Sequence, residues 1–215
     1  MSVRNALTTL AVALQLLASV AAHAEEGSHV PTAGDKAMLF GVAPNLTLST
    51  IEGTTIAWRT HRSDHVAWRF GLSLNASWSS LDREIGGTLT EDRTDFDVDL
   101  TAYRLRYLTN GDQARLYHGI GPLVGYSRSR LEETSNDVTD QTEQDELTGG
   151  IANIVGVEWF RWENVSLFAE YGATLGYTHS STKDISGSSS QTRTNTSDHV
   201  ALSSNGVRFG LAARF

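Results

Sequence analysis

Ten charged residues stand at alternating positions inside segments that are otherwise apolar or small: Arg59, Arg69, Asp95, Asp97, Asp99, Arg104, Arg106, Glu158, Glu170 and Arg208. Five arginines facing five carboxylates in a confined interior can relay protons or ions, or can neutralise one another and fill the space. A charge removed from water must be paired. That requirement favours a structural salt-bridge network over a conducting path.

Two further groups have the residue types for chemistry. His179 and Ser181, in His179-Ser180-Ser181, share one face of an extended segment. Glu132, Glu133, Asp137, Asp140, Glu143, Asp145 and Glu146 crowd one connection, where carboxylates could take calcium or magnesium. The dense Asp-x-Asp-x-Asp-Gly ligand spacing is missing, so a solvated acidic loop is expected, with no metal site and no cofactor. Residues 186–197 are rich in Ser and Thr and carry no motif. Cysteine is absent, which excludes disulfides and thiol catalysis, and the net charge of -8 argues against nucleic acid as a partner.

These residues need a frame, and the last ten positions show which. Val207, Phe209, Leu211, Ala213 and Phe215 alternate with Gly206, Arg208, Gly210, Ala212 and Arg214, the period-two pattern of a strand between an oily and a polar medium. The second face is mostly Gly and Ala, and the chain has only two lysines, Lys36 and Lys183. Small residues suit a crowded lumen. The apolar face then looks outward into lipid, where strands must close into a barrel to satisfy every backbone group.

Similar strands are predicted over 36–48, 54–61, 66–78, 94–108, 115–128, 146–162 and 164–179. The stretch 66–78 is the clearest: Val66, Trp68, Phe70, Leu72, Leu74, Ala76 and Trp78 point out. Trp58, Trp68, Trp78, Tyr107, Trp159, Tyr171 and Tyr177 are expected to form the aromatic girdles at the two interfaces. In 94–108 the apolar parity switches, because Phe96, Val98 and Leu100 oppose three aspartates whereas Tyr103, Leu105 and Tyr107 oppose two arginines. A bulge near Thr101-Ala102 would restore it and keep Arg104 and Arg106 inside. Upstream of Gly206 the parity is out of phase at Val200 and Leu202, which predicts a second bulge, above the membrane. The lumen face of 115–128 is Tyr117, Gly119, Gly121, Leu123 and Gly125.

Connections alternate short (62–64, 109–114, around 163) and long (79–93, 129–145, 180–197). Bacterial barrels have short periplasmic turns and long outer loops, so both termini belong in the periplasm. Residues 1–24 read as a cleaved signal peptide, with Arg4, an apolar run and Ala22-His23-Ala24, and 25–35 as a flexible periplasmic lead-in. The barrel domain is 36–215.

A terminal strand ending in Phe, preceded by seven such strands, resembles the small eight-stranded bacterial outer-membrane barrels of the OmpA/OmpX type, over nearly all the mature chain. The resemblance implies an all-β, antiparallel up-and-down transmembrane barrel, and it implies that Phe215 is the signal read by the barrel-assembly machinery. The fold hosts adhesins, lipid-modifying enzymes and structural barrels alike. His179-x-Ser181 is similar to the lipid A deacylase barrels, which would make His179 the base and Ser181 the nucleophile, oriented by a glutamate. Thr182 follows where that family shows Asn, and no acid lies at the matching place on the next strand, Asp198 being only a distant substitute. The expectation is therefore a non-enzymatic barrel, in contact with outer-membrane lipid and lipopolysaccharide, with a structural or adhesin-like role through its outer loops. The alternatives are a deacylase-like hydrolase and a narrow ion channel.

Overall fold

The computed structural model describes residues 30–42, 51–84, 88–109, 111–135, 138–160, 162, 164–187 and 191–215. The expected signal peptide, the start of the lead-in and positions 43–48 of the first expected strand lie outside the described residues. Eight antiparallel strands close on themselves in chain order. They are β1 (Lys36–Val42), β2 (Ile51–Ser63), β3 (Val66–Glu84), β4 (Thr88–Tyr107), β5 (Ala114–Ser135), β6 (Val138–Trp159), β7 (Val165–Ser186) and β8 (Gln191–Arg214). Closure is made where Ala37 to Val42 pair with Arg214 to Phe209.

Alternation decides what faces lipid. Phe70, Leu100, Ile120, Ile151, Leu175 and Phe209 are all about half exposed on the outside. Gly71, Tyr103, Gly119, Ala152, Phe168 and Ala212, at positions of the opposite parity, point in. Trp68 and Trp78 lie ten residues apart on β3, about 33 Å along a strand and about 25 Å along the normal at the usual tilt, which matches the apolar band of such barrels. The wall then continues upward. β5, β6 and β7 have 22 residues each and β8 has 24, whereas about 10 suffice to cross a bilayer. The long outer connections are therefore extensions of the strands: β3 and β4 pair as far as Glu84 and Thr88, and β5 and β6 as far as Ser135 and Val138.

Two expectations about parity resolve differently. β4 pairs with β3 without interruption from Arg106 opposite Val66 to Thr88 opposite Glu84, so no bulge occurs at Thr101-Ala102. Tyr103, Leu105 and Tyr107 stay on the same inward face as Asp95, Asp97 and Asp99 and are buried, while Arg104 and Arg106 point outward and are exposed. The lumen at this end is filled by large side chains, and the arginines sit where long cationic chains can snorkel to the interface. In β8 the predicted bulge is present. Ser204 and Gly206 pair with the consecutive residues Ala173 and Gly172, so Asn205 is the extra residue, and Gly206 takes a left-handed φ of 68°. This shift lies within the apolar band, not above it, because Val200 and Leu202 beyond it are at least as exposed as Phe209 below it.

Residues 32–35 form a turn in which Asp35 accepts from the Thr32 amide, and the Gly34 amide donates to the His61 carbonyl at 2.9 Å. Pro31, just before this turn, is fully buried.

Candidate functional site

The lumen is built around two ion pairs, each spanning strands that stand on opposite sides of the ring. Arg59 on β2 meets Glu158 on β6 with both forks, Nη1 to Oε2 at 2.5 Å and Nη2 to Oε1 at 2.6 Å. Arg69 on β3 meets Glu170 on β7 at 2.7 and 3.2 Å. All four side chains are essentially out of solvent. Tyrosines complete the shells: Tyr107 donates to Glu158 at 2.9 Å and accepts from Arg59, Tyr117 donates to Glu170 at 3.0 Å, and the Arg69 guanidinium lies 4.9 Å over the Tyr103 ring. Ser166 supplies Glu158 with a fourth hydrogen bond. Paired and hydrogen-bonded in this way, the four buried charges neutralise one another across the interior.

Glycine lets the wall come close enough for this. A Cβ on Gly156 would fall 2.5 Å from the Tyr117 ring, and one on Gly121 would fall 1.7 Å from the Ala102 carbonyl oxygen. A first apolar cluster packs Ala67, Tyr103, Leu105, Tyr107, Tyr117, Ala152, Ile154 and Phe160, and a second packs Ala37, Leu39, Ala57, Phe168 and Ala212.

The other charged residues read from the sequence divide. Asp95, Asp97 and Asp99 face in, higher up, but their hydrogen-bond partners are not the lumen arginines. Asp95 takes bonds from Arg93, Ser77 and Ser129, and Asp97 takes one from Asn75 at 2.9 Å. Arg208 lies in the field of both Asp99 and Glu170. Arg104 and Arg106 do not belong to the lumen network at all. Tyr107 does, and it is not a girdle residue: 3% of it is exposed. Trp58, Trp68, Trp78, Trp159 and Tyr177 are on the outside. Tyr171 is too, but midway up the wall, where Ser204 donates to its hydroxyl at 2.7 Å.

Sequence reasoning named Asp198 only as a distant substitute for an acid beside His179. Asp198 stands directly opposite it on β8, and His179 Nδ1 lies 2.7 Å from Asp198 Oδ1. An ionised carboxylate only accepts, so Nδ1 carries a hydrogen and donates it to Asp198. Tyr177 donates to the same oxygen at 2.8 Å. These bonds, that from His179 first, hold the Asp198 carboxyl below its ordinary range. His179, Ser181 and Asp198 all face outward just above Tyr177 and Val200. Among the described residues no hydrogen bond ties Ser181 to His179. The acidic residues of the outer connection lie on paired strands, in contacts such as Arg128 with Glu143 at 3.3 Å and Tyr126 with Asp145 at 2.6 Å. Asp137 lies outside the described residues. Among the described residues no cluster of three His, Asp or Glu is placed to hold a metal.

No protein-family profile matches the chain, and no curated protein matches it in sequence. Among solved structures it is similar to a major outer membrane protein from Thermus thermophilus, at 15% identity and a TM-score of 0.52, over 85% of this chain and 100% of that one. It is also similar to Ail, the attachment invasion locus protein of Yersinia pestis, at 12% identity and a TM-score of 0.41, over 86% of this chain and 100% of that one. CarO2 of Acinetobacter baumannii gives 10% identity and a TM-score of 0.41, over 86% and 100%. The likeness is one of fold, that of the bacterial outer-membrane β-barrels.

Proposed function

We propose that this chain is an integral outer-membrane barrel that works without enzymatic chemistry, as a rigid surface scaffold that braces the envelope and offers its outer wall to a partner. The observation that carries the reading is the height of β3 to β8 above the apolar band, paired almost to their tips and rich in polar side chains, over a lumen that two ion pairs close. A conducting role would leave the interior open, and a purely structural one would need no wall beyond the bilayer. Outer-leaflet lipopolysaccharide and the assembly machinery that reads Phe215 are the partners this reading requires. Its test compares intact cells carrying the full barrel with cells whose β5–β6 hairpin is shortened by removing 131–142. Adherence to host cells and matrix proteins should fall while surface abundance holds. Adherence equal to the empty-vector control in both strains would sink the proposal.

The contact between His179 and Asp198 favours a second reading, a hydrolase acting on envelope lipid from the outside of the wall. Asp198 would orient the imidazole and Nε2 would serve Ser181. Mass spectrometry of lipid A from cells expressing the wild type, Ser181→Ala and His179→Ala separates the two. The scaffold reading expects three profiles identical to the vector control. An acyl chain lost only with the wild type would install the hydrolase instead.

A further inference from the structure

The lipid-facing side of β2 to β5 is charged near the end with the short turns. Arg104 and Arg106 on β4 and Arg62 on β2 are exposed there, and no ion pair among the described residues engages them. The pairing rows bring them together: Trp68 lies opposite both Thr60 and Arg104, and Arg106 lies opposite His118. His118 Nε2 is in turn 2.9 Å from Asn153 Nδ2, a polar contact on the face that meets lipid. Arg62 is the extra residue where the β2–β3 register shifts between His61 and Ser63, which frees its backbone from the ladder beside this cluster. The outward positions of these four strands carry no carboxylate at this level among the described residues, although the whole chain has a charge of -8. Asp64, the nearest acid in sequence, is in the turn below.

Shape accompanies charge. Thr60, Arg62, Trp68 and Phe70 line a groove of about 240 Å³ on this face. Phe70 also borders a second groove of about 300 Å³, walled by Met38, Ile56, Trp58, Leu72 and Leu100 and floored by Ala57 and Gly71. Phe70 borders both, with Arg62 lining the one nearer the short turns and apolar side chains lining the other. An arginine facing hydrocarbon is costly unless it reaches the interface and meets an anion, and a guanidinium matches a phosphate with two parallel bonds.

We propose that this surface is a binding site for an anionic phospholipid of the inner leaflet, whose phosphate is taken by Arg62, Arg104 and Arg106 and whose acyl chain lies past Phe70 in the apolar groove. The inference rests on the barrel spanning the outer membrane with its short turns inward. The ligand class follows from charge complementarity: a zwitterionic lipid leaves three cations with less than one net negative charge, while phosphatidylglycerol or cardiolipin brings at least one.

Native mass spectrometry tests it on the full mature barrel, released from liposomes of phosphatidylglycerol mixed with phosphatidylcholine. The wild type should retain phosphatidylglycerol selectively, and each Arg→Gln change at 62, 104 and 106 should lower that retention about five-fold, the value of one basic residue at an anionic surface. Lys183→Gln, far up the outer wall, should leave it unchanged. A wild type without preference, or a triple Arg→Gln variant that retains the lipid as well as the wild type, would overturn the site. Heat-modified migration run in parallel shows whether each protein is a folded barrel, so loss of the barrel itself is seen separately. If the triple variant does not fold, the wild-type preference alone decides, measured at low and high salt: an unscreened, unselective signal counts against the site.

Discussion

Glu158 accepts four hydrogen bonds, two from Arg59 and one each from Tyr107 and Ser166, at a place wholly out of solvent. Removing one charge strands the other. Arg59→Met should therefore lower the unfolding free energy in detergent micelles by about 3–5 kcal/mol, and Arg59→Met with Glu158→Leu should recover most of the loss. Denaturant titration of the three proteins measures both, and a single variant as stable as the wild type would contradict the pairing. Sequence found Arg59, Arg69, Glu158 and Glu170 because each breaks the small-residue pattern of an inward face. It could not match them, since partners about 100 residues apart are set by strand order around the ring. His179 and Asp198 show a second limit. Counted back from Gly206 with strict alternation, Asp198 falls on the inward face; the extra residue Asn205 turns it outward, onto His179. Because the folded carboxyl is held low, this contact should be complete above the ordinary aspartate value of about 3.9 and disappear only as pH falls through the lower folded value. An NMR titration of the Asp198 carboxyl follows it; a midpoint at or above the ordinary value would speak against the bond.

At the scale of the strand, one inserted residue fixes the upper half of β8. Deleting Asn205 would force Val200 and Leu202 toward the lumen and Asp198 away from His179, since a one-residue slip exchanges the two faces of a strand. The deletion should abolish the heat-modifiable folded band on electrophoresis, while Asn205→Ser should keep it. A deletion variant that folds like the wild type would mean that β8 has no fixed register here. The bulge in β8 was legible because Val200 and Leu202 are large and apolar on what strict alternation makes the wrong face. The one expected at Thr101-Ala102 rested on the assumption that aromatic and aliphatic residues seek lipid. Tyr103, Leu105 and Tyr107 instead complete the plug, and their neighbours Arg104 and Arg106 reach the interface. In a narrow barrel the inward face needs bulk as well as charge, so polarity alone does not assign it.

For the whole molecule, the closed lumen predicts electrical silence: planar-bilayer recordings of the purified barrel should show no stable steps, and reproducible openings would restore the channel alternative. Phe215 lies on the outside, its amide bonded to the Lys36 carbonyl and its ring 5.4 Å from Trp58. Removing it should reduce the protein recovered in outer-membrane fractions without blocking export, and undiminished folded protein there would argue that the terminal aromatic is dispensable. The ion pairs also give the barrel a mechanical character. Neighbouring strands are held by ladders that can be unzipped one bond at a time, but Arg59 with Glu158 and Arg69 with Glu170 are struts across the tube. Pulled upward by its C-terminus, β8 would peel away with little resistance from either strut; the force should peak when β7 follows and Glu170 is dragged from Arg69, and again when β6 takes Glu158 from Arg59. A tube braced in this way resists flattening, which suits a wall that stands well clear of the membrane meant to support it.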